Sequence, residues 1–164
     1  MNPDQDRDRA PRPRPTRSDG LLLAALLISA PPGKAADLTG LLGSADTLNA
    51  SIPTFDEVSF GLARLAGAGW LALDYSTEAG FLMTASSAAA ELLEAFCATS
   101  AGIRELPEAV HGAVGAPPYA DPEVEDRSVG RLPGLQPEDL AVAYTDYPDV
   151  ARNWIESRPA KRVR

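Results

Sequence analysis

Few residues of this chain have the side-chain chemistry that catalysis or metal binding requires. His111 is the only histidine and Cys97 the only cysteine among 164 residues, so Ser-His-Asp triads and multi-histidine metal sites lack their parts. We expect His111 to lie on the surface or to cap a helix. We expect Cys97, in the apolar run ELLEAFCA, to be a buried and unreactive thiol. One cysteine also excludes a disulfide within the chain, which fits a cytoplasmic location.

The short motifs that bind nucleotides and calcium are incomplete. Gly33 and Lys34 resemble the end of a phosphate-binding loop, but Ile28 stands where that loop begins with glycine, and alanine follows the lysine. The acids between residues 121 and 126 lack the glycine and the final glutamate of a calcium loop, and we interpret them as part of a solvated linker. The sequence therefore predicts no enzyme, no metal site and no cofactor.

The charge of the chain argues against nucleic-acid binding by its central part. The net charge is −8, and residues 21–100 carry two basic side chains, Lys34 and Arg64, against eight acidic ones. Because nucleic-acid affinity depends on neutralised phosphates and released counterions, this region should repel a polyanion. The composition is 45% hydrophobic but only 6% aromatic, which favours a close-packed helical core.

The chain divides into three parts. Residues 1–19 are rich in Asp, Arg and Pro and are predicted to be a disordered arm. Residues 20–100 hold the apolar patterns of a folded domain, and residues 101–164 form a helical C-terminal extension that we expect to be loosely attached. Flexible arginine arms can enter a DNA minor groove, although a solvated tail is the alternative. The arm has an acid-free stretch with the arginines Arg12, Arg14 and Arg17.

An apolar run follows the arm at residues 21–30. We interpret it as the first helix of the domain, over Leu21–Ser29. The alternative is the apolar region of a secretory signal, which would make the mature protein an exported one. The run is much shorter than the roughly 20 residues that span a bilayer, so no membrane partner is expected.

Hydrophobic spacing predicts further helices and a hairpin. Apolar residues on one helical face predict a second helix over Ala36–Leu48. The T-x-x-E pattern from Thr54 to Glu57 is a capping box and predicts the start of a third helix. The β-prone runs at 70–75 and 80–84, separated by a polar turn, predict a two-stranded hairpin.

Later elements are predicted in the same way. Ser86 or Ser87 should cap a fourth helix that reaches about Ala98, with four inward residues: Ala90, Leu93, Phe96 and Cys97. The extension is predicted to hold a Pro-rich linker, Pro117–Pro133, and short helices over Leu106–Val114, Pro137–Tyr144 and Asp149–Ser157.

Four patterns within this order resemble those of winged-helix proteins: L-x-x-L at 38–41, P-T-x-x-E at 53–57, L-x-x-L-x-x-x-G-W-L at 62–71 and F-L-M-T at 81–84. The likeness is to bacterial transcription regulators of the multiple-antibiotic-resistance and phenolic-acid types. The chain is also similar to small actinobacterial winged-helix-like proteins that bear D-x-L-N-x-x-I-P-T, which begins here at Asp46. The resemblance implies a mainly α fold with a small β-hairpin, in which a three-helix core carries a wing.

The resemblance also implies where such a protein would contact a partner or DNA. In DNA-binding members the third helix enters the major groove and the wing contacts phosphates. By position, this surface is predicted to comprise Thr54, Asp56, Glu57, Phe60 and Arg64 on the helix and Tyr75 on the wing. The sequence departs from the pattern, because the helix offers one arginine and the wing offers no lysine or arginine.

Phe60 lies off the apolar stripe of the third helix, and its position leaves two interpretations open. An exposed aromatic side chain is typical of a protein interface. Alternatively, Phe60 packs under the wing or under the C-terminal extension.

Two functions from different classes follow from these observations. The first is a non-enzymatic regulatory or adaptor protein that acts through protein contacts, with self-association. The second is a DNA-binding transcription regulator, in which the arginines of the arm supply the cations that the domain lacks.

Overall fold

The computed structural model of the protein describes residues 15–49, 52–77, 80–115 and 130–157. The fold is mainly helical with a small antiparallel sheet. The helices are α1 (Arg17–Ser29), α2 (Leu38–Asn49), α3 (Phe55–Gly67), α4 (Ser87–Cys97), α5 (Leu106–Ala113) and α6 (Pro137–Ser157). The strands are β1 (Ala35–Asp37), β2 (Leu71–Thr77) and β3 (Gly80–Ala85), and a short 3-10 turn, Ile103–Glu105, precedes α5.

The predicted hairpin is present and gains a third strand. Strands β2 and β3 pair antiparallel with Leu71 opposite Ala85, and β1 pairs on the other side of β3, with Ala36 opposite Met83. The strand order is therefore β1-β3-β2. Strand β1 has three residues, too few for an alternating pattern to show in the sequence. Two residues of the predicted turn, 78 and 79, lie outside the described residues.

Helix α1 begins at Arg17, four residues before its predicted start. The backbone N–H of Thr16 donates to Oδ2 of Asp19 at 2.7 Å, which satisfies one of the amides at the helix start. Asp19 and Gly20 are buried, and every side chain from residue 22 to residue 27 is buried behind them. The predicted arm therefore ends earlier than expected, and Arg17 belongs to the first turn of a packed helix. Arg12 and Arg14 lie outside the described residues.

Helices α2 and α3 follow the sequence patterns closely. The predicted inward residues of α2 are buried, and α3 begins at the predicted capping box. In that box the N–H of Glu57 donates to Oγ1 of Thr54 at 3.3 Å, and the N–H of Thr54 donates to Oε2 of Glu57 at 2.7 Å. Both bonds satisfy amides that a helix start leaves without partners.

Helix α4 has the predicted bounds, and Ser86 caps it through a bond from the N–H of Ala89 at 3.3 Å. Its packing differs from the prediction. Only Ala89 is fully buried, Leu93 and Phe96 are half-buried, and Cys97 is exposed. The expected buried thiol is therefore wrong, because Cys97 is the last residue of α4 and lies off the side on which Leu93 and Phe96 pack against the core.

The C-terminal extension is packed rather than loose. Leu132, Leu135, Leu140 and Ala143 belong to the same buried cluster as the leucines of α1 and α2. The two helices predicted between 137 and 157 are one helix, with Pro148 inside it. A proline usually breaks a helix because it lacks an N–H and crowds the preceding turn, which is why the sequence suggested two elements. The described residues begin again at 130, after the greater part of the predicted linker.

Helix α6 packs along α2 through a tyrosine and a glycine. A Cβ atom on Gly43 would lie 2.5 Å from Cε2 of Tyr147, so the ring occupies the space that any side chain would need. The Tyr147 hydroxyl donates to Oδ2 of Asp46 at 3.3 Å. Closer to the start of α6, the Tyr144 hydroxyl donates to the carbonyl of Pro53, just ahead of α3.

His111 is buried on α5, at 3% exposure, rather than on the surface or at a cap as predicted. It packs against α1 where Gly20 has no side chain, since a Cβ on Gly20 would lie 3.0 Å from Cβ of His111. The Nε2 atom has no hydrogen-bond partner among the described residues. None of the described helices combines the length and the apolar character that crossing a bilayer requires.

Candidate functional site

Helix α3 is the element on which the predicted contact surface lies, and its side chains point in three directions. Val58, Leu62 and Leu65 face the core and are fully buried. A second side, with Gly61 and Arg64, faces the start of α1. A third side contacts the C-terminal chain. It is called the α3 outer surface below and comprises Phe55, Asp56, Ser59 and Phe60, whose i, i+1, i+4, i+5 spacing places them on one face.

Arg64 lies on the second side, and it is not a surface residue. Its side chain and that of Asp19 are both 0% exposed. The guanidinium donates from Nε to Oδ2 and from Nη2 to Oδ1, each at 2.7 Å. This bidentate geometry matches the planar fork of arginine to a carboxylate. The predicted outward role of Arg64 is therefore wrong, because a buried acid on α1 provides a partner that the helix pattern alone does not reveal.

The close approach of α1 and α3 depends on Gly61. A Cβ atom at this position would lie 2.5 Å from Cδ1 of Leu22 and 2.8 Å from Oδ1 of Asp19. Only a residue without a side chain lets the carboxylate reach Arg64 in this geometry. Gly61 is therefore a packing residue on the inner side of α3.

The α3 outer surface is covered by Arg131, from the segment that leads into α6. Its Nη2 atom lies 2.7 Å from Oδ1 of Asp56, in an ion pair that is 58% exposed at the arginine and 40% at the aspartate. The guanidinium carbon lies 5.5 Å from the ring centroid of Phe55 and 5.8 Å from that of Phe60, within cation–π range. Phe60 is only 7% exposed. Of the two interpretations of Phe60, packing under the C-terminal extension is confirmed.

The residues after Arg131 continue along the same surface. We call Arg131–Leu135 the RLPGL segment. The N–H of Leu132 donates to Oγ of the buried Ser59 at 3.0 Å, and the side chains of Leu132 and Leu135 are buried. Because Ser59 accepts a main-chain bond, it fixes the position of the segment along the helix.

The segment also reaches the hairpin. Gly134 has a φ of +88°, a conformation that favours glycine, and a Cβ there would lie 3.2 Å from Cε1 of Tyr75. Tyr75 is 48% exposed, and its ring centroid lies 5.1 Å from that of Phe81. Burial raises the pKa of the Tyr75 hydroxyl. The segment thus lies against both α3 and β2, the two elements that the resemblance assigns to recognition.

Thr54 and Glu57, two further residues of the predicted surface, form the capping box of α3. Their polar atoms bond to each other and to the helix start, with Oγ1 of Thr54 also donating to Oε2 of Glu57 at 2.8 Å. Burial and the nearby Glu57 carboxylate together raise the pKa of the Tyr144 hydroxyl. Because their polar atoms are used in the capping box, the main contribution of Thr54 and Glu57 is to fix where α3 begins.

Among the residues that the structure describes, one exposed cation contacts this surface. Arg64 is the only basic residue of α3 and is buried, and the described residues of β2 and β3 include no lysine or arginine. Arg131 is the cation that contacts the surface, and Asp56 offsets its charge. Away from this surface, Arg17 of α1 lies 3.5 Å from Glu108 in the first turn of α5, in a mostly exposed pair. A surface with this balance has little attraction for a phosphate backbone.

Sequence reasoning missed three residues that organise the site: Asp19, Ser59 and Arg131. A signal existed for the first, because Thr16 and Asp19 form a T-x-x-D pattern directly before the apolar run. Ser59 and Arg131 give no such signal, because their contacts join distant parts of the chain. The hydrogen bond from Leu132 to Ser59 joins residues 73 positions apart, and the ion pair of Arg131 with Asp56 joins residues 75 positions apart. Within the described part of the chain, no three histidine, cysteine or acidic side chains come together as a metal site.

Comparisons with protein-family models, with curated proteins and with solved structures give no match to this chain.

Proposed function

We propose that this chain is a non-enzymatic regulatory or adaptor protein of winged-helix type that acts through protein contacts. The element order α1-β1-α2-α3-β2-β3, with β1 against β3, supports the winged-helix part of the proposal. In such a scaffold the third helix and the hairpin form the recognition surface. The contact surface we propose is therefore the α3 outer surface with Tyr75, and Arg64 no longer belongs to it.

One observation carries the proposal: the RLPGL segment of the same chain already occupies this surface as a protein ligand. Its contacts are of the kinds found in protein interfaces, namely an arginine over aromatic rings, a buried leucine and a main-chain hydrogen bond. A surface that holds a peptide in this way is suited to protein recognition.

DNA binding is the second candidate, and the charges of the described residues disfavour it. Specific DNA-binding proteins make about six to ten phosphate contacts, whereas this surface has the single exposed cation Arg131, paired with an acid. The observation in favour is the acid-free stretch that holds Arg12 and Arg14. These two residues could supply cations, although not the number that a specific complex uses.

Self-association and a cytoplasmic location remain part of the proposal. The half-buried apolar side chains of α4, Leu92, Leu93 and Phe96, form a surface that a second protein surface would bury further. A single exposed cysteine is compatible with a reducing compartment.

Fluorescence anisotropy with labelled random-sequence duplex DNA tests the proposal. We expect the full chain to show no saturation at about 10 μM protein in about 50 mM salt. A chain that bound DNA even non-specifically would approach saturation under these conditions, since such proteins have dissociation constants of about 10⁻⁴–10⁻⁶ M at physiological salt and bind more tightly at lower salt. The informative variant is R12A/R14A, with R104A as a matched control for an exposed arginine elsewhere. Removal of residues 1–19 is unsuitable, because it deletes Asp19 and leaves Arg64 buried without its partner. Salt-sensitive binding that R12A/R14A abolishes and R104A retains would establish the DNA alternative.

A further inference from the structure

The RLPGL segment shows, position by position, which chemistry the α3 outer surface accepts. Its first residue contributes a guanidinium that is 2.7 Å from a carboxylate oxygen of Asp56 and within 5.8 Å of two aromatic ring centroids. Arginine suits this position better than lysine, because its planar group stacks on a ring and is more weakly hydrated than an ammonium. The surface therefore selects an arginine.

The next positions add a main-chain contact and two apolar anchors. The residue after the arginine donates its N–H to Ser59 and buries a leucine side chain, and the residue four after the arginine buries another leucine. The position between them, Gly134, has a positive φ and closely approaches Tyr75. A glycine is favoured there, since any larger residue would be strained and would meet the ring.

The RLPGL segment is held by contacts of two different strengths. The ion pair of Arg131 is mostly exposed, and exposed pairs hold a protein together weakly. Pro133 and Gly134 are also exposed, so the leucines and one hydrogen bond hold a segment whose remaining surface faces solvent. Both leucines belong to the main buried cluster, so a second segment competes for the surface only if it supplies two leucines at the same spacing.

We propose that the α3 outer surface binds a partner protein through an exposed segment with arginine, leucine at the next position, glycine three positions on and leucine four positions on. The RLPGL segment is the tethered copy of this ligand and holds the surface closed until a partner displaces it. Asp56 and the rings of Phe55 and Phe60 select arginine at the first position of the ligand. Ser59 and the sites of the two leucines fix the register of the ligand along α3. This inference rests on the proposed function and adds to it the chemistry of the partner.

Tethering has a measurable consequence. A ligand joined to its site by a short flexible connection has an effective concentration of the order of millimolar. A free peptide of equal intrinsic affinity therefore binds the wild-type chain weakly, and it binds a chain with a weakened RLPGL segment much more tightly. The ratio of the two dissociation constants measures how fully the RLPGL segment occupies the α3 outer surface in the wild-type chain.

The experiment uses the labelled peptide GRLPGLQ, which repeats residues 130–136, in anisotropy titrations with full-length chains. We expect L132A/L135A to bind it about tenfold more tightly than wild type, because the tethered competitor is weakened. The same variant with D56A added should bind the peptide about two- to threefold more weakly than L132A/L135A, because the exposed ion pair is lost. A peptide in which the arginine is alanine loses the ion pair and the cation–π contacts and should bind about fivefold more weakly. V142A, a truncation at an exposed position of α6, should bind like wild type.

A milder variant keeps the test valid if L132A/L135A loses its helical circular dichroism. R131A removes no buried group, and we expect it to bind the peptide roughly threefold more tightly than wild type. The proposal is overturned if neither variant binds the peptide at about 1 mM, or if the arginine-to-alanine peptide binds equally well. If the peptide experiment fails and the chain does not bind DNA, the partner chemistry is wrong but the proposed adaptor function is not contradicted. Salt-sensitive DNA binding would contradict the proposed function itself.

Discussion

Two ion pairs of helix α3, one on its inner side and one on its outer side, have opposite settings. Arg64 and Asp19 on the inner side are fully buried and joined by hydrogen bonds from Nε and Nη2. On the outer side the side chains of Arg131 and Asp56 are 58% and 40% exposed. Breaking a buried pair leaves an uncompensated charge in a medium that solvates it poorly. Breaking an exposed pair leaves both groups hydrated. The inner pair therefore fixes how α1 and α3 assemble, whereas the outer pair adds little to the attachment of the C-terminal segment.

The largest expected effect comes from breaking the inner pair. We expect R64M or D19N to lower the free energy of unfolding by about 3–5 kcal/mol, because each leaves one buried polar group without its partner. The double variant D19L/R64M should recover most of the loss, since it removes both charges. Urea unfolding followed by circular dichroism measures all three. Losses below about 1 kcal/mol for the single variants would mean that the pair is hydrated in solution.

The geometry that permits the inner pair can be tested separately at Gly61. We expect G61A to destabilise the protein by about 1–3 kcal/mol, because the added methyl group overlaps Leu22 and the Asp19 carboxylate. G112A is the matched control, since nothing lies within 4 Å of a Cβ at that helical position. It should be neutral or stabilise the helix by up to about 1 kcal/mol. Equal effects of the two substitutions would contradict the close approach of α1 and α3.

The outer pair should respond much more weakly. We expect R131A to cost about 1 kcal/mol, the sum of an exposed ion pair and a cation–π contact. D56A removes the ion pair alone and should cost about 0.5 kcal/mol. A double-mutant cycle should give a coupling of about 0.5 kcal/mol that decreases in about 1 M salt, where exposed charges are screened. R104A, an exposed arginine on the 3-10 turn, is the control and should have no effect. A coupling above about 2 kcal/mol would place this pair in the same class as the inner one.

The smallest effect concerns the tyrosines that join α6 to the rest of the fold. Burial raises the pKa of Tyr144 and of Tyr147, and the nearby Glu57 and Asp46 carboxylates respectively raise them further above the ordinary value of 10.0. A group with a raised pKa in the folded state holds its proton more tightly there than in the unfolded chain. Its contribution to stability is full below pH 10 and is lost as the pH rises through the folded-state pKa.

We therefore expect wild type to lose more stability than Y144F/Y147F between about pH 9 and about pH 11. Thermal unfolding of both chains across that range measures the difference. A constant difference between wild type and the double variant would contradict the pKa shifts.

The elements that the sequence predicts well are those with local signals. The capping box of Thr54 and Glu57, the Ser86 cap and the hairpin depend on residues within a few positions of each other. The apolar residues of α2 fall on one face, so their burial follows from helical periodicity alone. Local chemistry and periodicity were sufficient for these parts of the fold.

The candidate site was predicted only in outline, because its contacts join distant parts of the chain. The resemblance to winged-helix proteins implied an outward role for Arg64, and only the fold brings Asp19 to it from 45 residues away. The exposure of Phe60 was undecided, since the sequence does not show that Arg131 lies over its ring. Pro148 suggested two helices where α6 continues through it. Long-range packing overrides local preference at each of these positions.

The most direct measurement of the central claim is amide hydrogen exchange at Leu132 in the full chain, by nuclear magnetic resonance. If the RLPGL segment covers the α3 outer surface, this N–H is protected by its bond to Ser59 and exchanges at least about a hundredfold more slowly than in an unstructured peptide. S59A should remove much of that protection while the amides of Leu62 and Leu65 stay protected. Exchange of the wild-type Leu132 amide at the rate of an unstructured peptide would contradict the account.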